Sequence, residues 1–563
     1  MVSRLRQLDA SGASAAASDG RLAPIARFDG WTLGALAIAA LALVPILAIV
    51  VSAPTGGLDA LAELARTILG RYIANTLALM ALAGGLALVI GVGCAWLVSA
   101  AEFPGRRILS WALILPLALP AYLCAYIYGD MLDFSGPVQS GLRAVTGWGA
   151  GDYWFPQIRS LPGGAFVLGI VLYPYVYLLA RTAFATQSPR QFRAARSLGA
   201  SPARAFWRVA LPAARPAIAG GLALVLMEVL ADFGVAQYFA IPTFSTGIFR
   251  SWLAMGDKQL ALKLAAIMLL FVVALIAFEA ATRRGRTDSH DGLSQRDEGP
   301  LVQLSRRRKI LASFLCTLPV VLGFAIPAVQ LAGMSIEDSA IAASGQLWTY
   351  VSGSLWLGLA TALVCILAAI VLAFAKVRSG SVLSKGAIRL STLGYALPGA
   401  LLAVGLLAPL GAVDVSLTRA ARDGLGWSGG LLLTGTSLVL IYALSVRFLT
   451  VAYNSVDGGM AKIPPSLDAA ARSLGAKPSR VLTQVYAPLL RPSLLAAAAL
   501  VFIDTVRELP ATLILRPFNL ETLATRTYRL ASDERLVEAS IPALILLAAG
   551  LLPVLLLART SRD

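Results

Sequence analysis

The sequence predicts an all-α integral membrane protein of about twelve transmembrane helices, arranged as two tandem, pseudo-symmetric six-helix domains. Three observations carry this prediction. The 563 residues are 58% hydrophobic and only 14% charged. Apolar runs of about 20 residues, enough to cross about 30 Å of hydrocarbon, recur along the chain. One polar phrase also occurs twice: Ala194 to Ala200 and Ala470 to Ala476 both read Ala-Ala-Arg-Ser-Leu-Gly-Ala. The match continues at the same offset of 276 residues, pairing Pro202 with Pro478, Arg204 with Arg480, Pro212 with Pro488, Arg215 with Arg491 and Pro216 with Pro492. A repeat that long is a duplicated domain rather than a solenoid unit.

In chain order, residues 1–30 are polar and rich in Ala and Ser. They lack the charged, apolar and cleavage regions of a signal peptide and read as a cytoplasmic tail. The first domain, 31–282, holds spans near 31–52, 74–100, 108–129, 163–183, 217–240 and 260–281. A polar cytoplasmic linker, 283–310, follows. The second domain, 311–563, holds spans near 311–333, 351–375, 388–412, 429–452, 490–513 and 539–558. Helices are the expected form, because they satisfy their own backbone groups in lipid.

The net charge of +17 raises the question of a nucleic-acid partner. The positions of the charges answer it, because the basic residues sit in connections of one parity. Arg181, Arg190, Arg193, Arg196, Arg204, Arg208 and Arg215 follow the fourth span. Arg447, Lys462, Arg472, Lys477, Arg480 and Arg491, with Asp457 and Asp468, take the same place in the second half. The linker adds Arg283, Arg284, Arg286 and the run Arg306 to Lys309. By the positive-inside rule these segments are cytoplasmic, as are both termini. The other parity holds most of the acids, including Asp130, Asp133, Asp152, Glu337 and Asp338. The four cysteines lie within spans, with no metal-site spacing. The one histidine, His290, is in the linker. The chain therefore offers no histidine-based metal or catalytic centre.

The repeated loop has the grammar of two short helices joined by a glycine. Gln191 to Leu198 are helix formers, and Gly199 suits the left-handed residue that ends a helix. Ser201 and Pro202 suit an N-cap and a first helical position. Gly475 and Pro478 repeat the design. Topology needs basic residues but not the same seven residues in order; two equivalent docking partners would need them. The dipeptide Gly-Lys is absent, so the chain has no Walker A loop to cradle nucleotide phosphates.

The fifth span of each half carries ionisable residues at the shared offset: Glu228 and Asp232, then Asp504 and Glu508. Residues four apart share a helix face. Counted from Pro216, Glu228 and Asp232 lie about 18 and 24 Å along the helix. Acids at that depth line a cavity or meet a partner. A helix breaker follows each pair, Gly234 and Pro510. Two readings stay open: lining of a cation pathway with hard oxygen ligands, or structural work, as partners of Arg507 or caps of broken helices. Arg507 has no counterpart in the first half, where Ala231 stands. The tyrosines Tyr122, Tyr126, Tyr128, Tyr173, Tyr175 and Tyr177 read as packing rather than ligands.

The repeated loop resembles the Glu-Ala-Ala-x-x-x-Gly motif of binding-protein-dependent ABC importer permeases. The resemblance implies that Ala194, Ala195, Arg196, Ser197, Leu198 and Gly199, with Ala470, Ala471, Arg472, Ser473, Leu474 and Gly475, form two coupling loops. The motif glutamate is replaced by Arg193 in one copy and Ala469 in the other. Longer phrases are similar to fused permeases of ferric iron importers. They are Leu-Ala-Asp-Phe-Gly-Val-Ala-Gln-Tyr-Phe from Leu230, Pro-Thr-Phe-Ser-Thr-Gly-Ile-Phe-Arg-Ser-Trp from Pro242, and Arg-Glu-Leu-Pro-Ala-Thr-Leu-Ile-Leu-Arg-Pro-Phe from Arg507. The resemblance implies a multi-pass inner-membrane subunit that is not itself an enzyme and binds no cofactor. Two copies of an ATP-binding subunit would use ATP and magnesium for it, and a periplasmic binding protein would deliver ferric iron. Thiamine, polyamine, sulfate and phosphonate permeases share the architecture. A secondary transporter also uses repeats and intramembrane acids, but gives no reason for two docking loops; an ion channel or membrane scaffold would need no binding protein.

Overall fold

The computed structural model describes residues 29–52, 54, 62–187, 189–283, 302–337, 345–379, 381–426, 430–464, 466–467, 473 and 478–560. Most of the expected tail 1–30, most of the linker 283–310 and all of the second repeated loop except Ser473 lie outside the described residues. Among the described residues the secondary structure is helical, apart from one isolated bridge between Ala101 and Val302.

Among the described residues, ten helices are long and apolar enough to cross a membrane. An eleventh candidate is a bent pair, Arg106–Ala118 with Ala121–Thr146, kinked by 89°. The twelfth expected span falls on the helix Leu536–Thr560. The kink corrects the straight span expected near 108–129, and its cause is local. A 3-10 turn, Leu115–Ala118, ends at the extended residue Leu119, and Pro120 starts the next helix. Proline has no N–H to continue a helix and pushes its predecessor out of the helical region. The second half repeats this: Thr392–Ala396 is a 3-10 turn, Leu397 is extended, and Pro398 precedes the helix Gly399–Leu425.

The offset of 276 persists in three dimensions. Leu161–Thr186 matches Ser437–Met460, and Leu211–Ala231 matches Ala487–Arg507. The two halves are not separate bundles, however. The first span, Gly30–Ser52, packs against Gly345–Arg378, Val382–Ser391 and Gly399–Leu425 of the second half. The matching span, Arg306–Glu337, reaches back to Gly70–Ala100, Arg106–Ala112 and Ala121–Leu132 of the first. Each exchanged helix also touches the sixth span of its own half. Glycines allow the close crossings. A Cβ on Gly405 would lie 2.7 Å from the Pro45 carbonyl, and one on Gly323 would lie 2.5 Å from the Ile170 carbonyl.

Candidate functional site

The first repeated loop folds as its residues dictate. The helix Pro189–Ser197 ends at Gly199, whose φ of +87° is the left-handed cap. The Ala200 N–H closes that end by donating to the Ala195 carbonyl at 3.0 Å. The Ser201 hydroxyl accepts from the Arg204 N–H at 3.2 Å, and Pro202 opens the next helix. Leu198, at the tip, is 89% exposed. Behind it Phe192 is buried, with its ring 5.5 Å from that of Trp96, and Phe206 lies 4.9 Å from the same indole. The loop thus presents a polar surface and one bare leucine outward while its aromatic residues anchor it to the second span. Ala194, Arg196 and Ser197 are exposed, and Ala195 is half-buried. In the second copy, Ser473 is exposed; Ala470, Ala471, Arg472, Leu474 and Gly475 lie outside the described residues.

All four acids of the fifth spans meet at one cavity of about 210 Å³ between the halves. Its wall includes the broken third span of the first half at Leu119 and Pro120, Tyr395 beside the third-span break of the second half, and the broken fifth spans at Gly234 and Pro510. Irregular backbone at membrane depth is tolerated where it lines such a space. The helix Leu211–Ala231 stops at Asp232, which is extended, and restarts at Gly234. Ala487–Arg507 stops at Glu508 and restarts at Pro510.

This geometry divides the acids by position within each pair rather than by half. The second acid of each pair caps the restarted helix. Asp232 accepts from the N–H groups of Val235 at 3.4 Å and Ala236 at 3.0 Å. Glu508 accepts from the N–H groups of Ala511 and Thr512, both at 2.9 Å, and from the Thr512 hydroxyl at 2.8 Å. It also pairs with Arg447 at 3.1 Å, with the carboxylate side chain buried and the arginine 13% exposed. The first acids are uncommitted: Glu228 and Asp504 make no hydrogen bond or ion pair within 4.0 Å among the described residues. They are close enough for their charges to act on each other and on Arg447 and Arg507.

Two sequence expectations change here. The partner of Glu508 is Arg447, not Arg507. Arg447 is not in a cytoplasmic loop either; it lies midway along Ser437–Met460 and lines the cavity. The missed signal was that Arg447 falls inside the apolar span read near 429–452. Arg507 instead donates across the halves to the Leu117 carbonyl at 2.7 Å. Tyr126, Tyr128, Tyr173 and Tyr177 are packed in the core. Tyr122 and Tyr175 also line the cavity, as does Tyr395 of the other half. No group of three His, Cys, Asp or Glu side chains that could hold a metal occurs among the described residues.

Two equivalent multi-span halves that close on one mixed-charge cavity define a fused, two-domain membrane permease. The chain belongs to the family described as binding-protein-dependent transport system inner membrane component, which matches residues 87–284 and again 365–561. It is thus an ABC importer permease, a multi-pass inner-membrane transport subunit. An Fe(3+)-transport system permease protein of Haemophilus influenzae is 25% identical over 517 residues, covering 91% of this chain and 94% of that protein. A sulfate transport system permease protein of Escherichia coli is 30% identical over 206 residues, covering 36% of this chain and 68% of its own. A sulfate permease protein of Synechocystis is 28% identical over 209 residues, covering 36% and 69%.

Proposed function

We propose that this chain translocates ferric iron, delivered by a periplasmic binding protein, across the inner membrane, driven by two copies of a separate ATP-binding subunit. The observation that carries the substrate is the pair of uncommitted carboxylates, Glu228 and Asp504, facing one cavity from equivalent places in the two halves. Carboxylate oxygen suits a hard, highly charged cation. The full-length similarity to a ferric permease agrees with it. The repeated loops carry the motor connection: Leu198 and its neighbours seat on one ATP-binding subunit, and the copy around Gly475 seats on the other. ATP and magnesium are used there and not by this chain. On this reading the loops, both termini, the tail 1–30 and the linker 283–310 are cytoplasmic, and 31–282 and 311–563 are the two permease domains.

A sulfate reading draws on Arg507 and on the half-length relatives. The two uncommitted acids oppose it, since they repel a free anion. Radiolabelled ferric iron uptake, with and without this gene, tests the proposal. Uptake should need the chain and should withstand excess thiamine, putrescine, sulfate and phosphonate. Iron uptake that is indifferent to the chain, or abolished by sulfate, would overturn it.

A further inference from the structure

A second concentration of charge lies away from the cavity. Arg306, Arg307, Arg308 and Lys309 form the first turn of the helix Arg306–Val320. The positive end of the helix dipole lies there, so basic residues are disfavoured and an anion is favoured. Ser305, at the N-cap, makes no side-chain bond to the turn. The segment that carries this turn is tied on both sides to one place in the first half. The Val302 N–H donates to the Ala100 carbonyl at 3.0 Å, and the Ser313 hydroxyl donates to the Pro104 carbonyl at 2.7 Å. Residues 100–104 lead directly to Arg106 and Arg107, which open the helix Arg106–Ala112, and that helix packs against Arg306–Val320.

Six basic residues from the two halves thus gather at one crossing. Arg107 and Arg306 to Arg308 are exposed. Glu102 reaches Arg106 at 4.0 Å; among the described residues the other five form no ion pair. Setting topology needs basic residues on one side of the membrane, but not their convergence. The repeat does not need it either. The equivalent crossing has Gly30, Trp31, Thr32 and Leu33 against Val382 and Leu383.

Just past the charges, both helices become apolar and bare. Ile310, Leu311, Phe314 and Leu315 share one helix face and are exposed, as is Ile108 on the neighbouring helix. A partner must therefore offer negative charge at one level and hydrocarbon at the next. Inorganic phosphate and an acidic protein surface offer the first without the second. An anionic phospholipid offers both, and arginine forks match its phosphate oxygens.

We propose that this crossing binds an anionic phospholipid. Its phosphate meets Arg107 and Arg306 to Arg308, and its acyl chains lie along Ile108, Ile310 and Phe314. Basic clusters at the ends of spans recognise such headgroups. The lipid would bridge the two halves beside an exchanged span, and the site stands whether or not iron is the cargo.

The test places the full chain in phosphatidylcholine nanodiscs with a trace of photoreactive phosphatidylglycerol or photoreactive phosphatidylcholine. Crosslinked peptides are mapped by mass spectrometry. The glycerol lipid should label peptides spanning 106–112 and 306–318 at least about tenfold more than the choline lipid, and raised salt should remove that preference. Replacing Arg306, Arg307 and Arg308 together by glutamine should lower the selective labelling about tenfold or more. Replacing the same three by lysine keeps the charge and should keep most of the labelling. Equal labelling by both lipids in the wild-type chain, which needs no variant to fold, would overturn the proposal. So would unchanged selectivity in the glutamine variant. Labelling that the ATP-binding subunit blocks, with weaker binding of that subunit to the glutamine variant, would assign the patch to that protein instead and overturn the lipid site.

Discussion

Glu508 and Glu228 are the same kind of residue in equivalent helices, yet their surroundings give them different work. Glu508 has spent its oxygens on two N–H groups, a hydroxyl and Arg447. Such a buried pair adds little net stability, but breaking it leaves an uncompensated charge that costs about 3–5 kcal/mol. Arg447→Ala should therefore lower the thermal midpoint of the purified protein markedly; an unchanged midpoint would show that Glu508 is not held by this pair. Gly399 belongs to the same arrangement, since a Cβ there would sit 2.5 Å from both Arg447 Nη1 and Glu508 Oε1. Glu228 and Asp504 hold no comparable partners. Glu228→Gln and Asp504→Asn should keep the stability within about 0.5 kcal/mol of wild type, as for substitutions that disturb no network, while iron uptake falls at least about tenfold. Asp232→Ala should do the reverse, removing a cap worth about 1 kcal/mol. Parallel melting and uptake curves on the three variants separate cap from pathway; the same loss of stability in all of them would sink the division.

At the scale of elements, the helix breaks were partly legible in the sequence. Gly234 and Pro510 pointed to the fifth spans, and there the helices restart. The third-span breaks were missed although Pro116, Pro120 and Pro398 mark them, because apolarity alone was read across them. Hydropathy reports what a segment can dissolve in, not whether its backbone runs straight. The acids were legible as special, but their division was not, since a carboxylate four residues after another looks the same whether it caps or stands free. The first copy of the repeated loop was legible to the residue: the Gly199 cap, the Ser201 cap and Pro202 all follow from local chemistry. A left-handed residue other than glycine costs about 1–2 kcal/mol. Gly199→Leu should thus distort the loop and abolish binding-protein stimulation of ATP turnover, while the spans stay folded. Normal stimulation in that variant would remove the loop from the coupling route.

At the scale of the molecule, the repeat in the sequence and the packing in space do not coincide. The duplicated unit begins with its first span, but that span is lent to the other half. Sequence periodicity cannot show this, because an exchanged helix and a retained one have the same apolar pattern. The exchange is held by specific contacts. Trp31 lies 5.1 Å from Phe374, and the Tyr442 hydroxyl donates to the Leu41 carbonyl at 2.6 Å. Ser313 donates to the Pro104 carbonyl at 2.7 Å in the opposite sense. At the far side from the repeated loop, Arg159 bridges Asp133 of its own half and Glu534 of the other, at 3.2 and 3.5 Å. Neither half can then bury its own faces alone, because the surface each exchanged span covers belongs to its partner. Expressed as two chains cut between residues 284 and 300, the halves should co-purify as a one-to-one complex and restore iron uptake. Expressed singly, each should aggregate or be degraded, its second and third spans left uncovered. A single half that purifies as a monodisperse monomer with the thermal midpoint of the intact chain would refute the exchange.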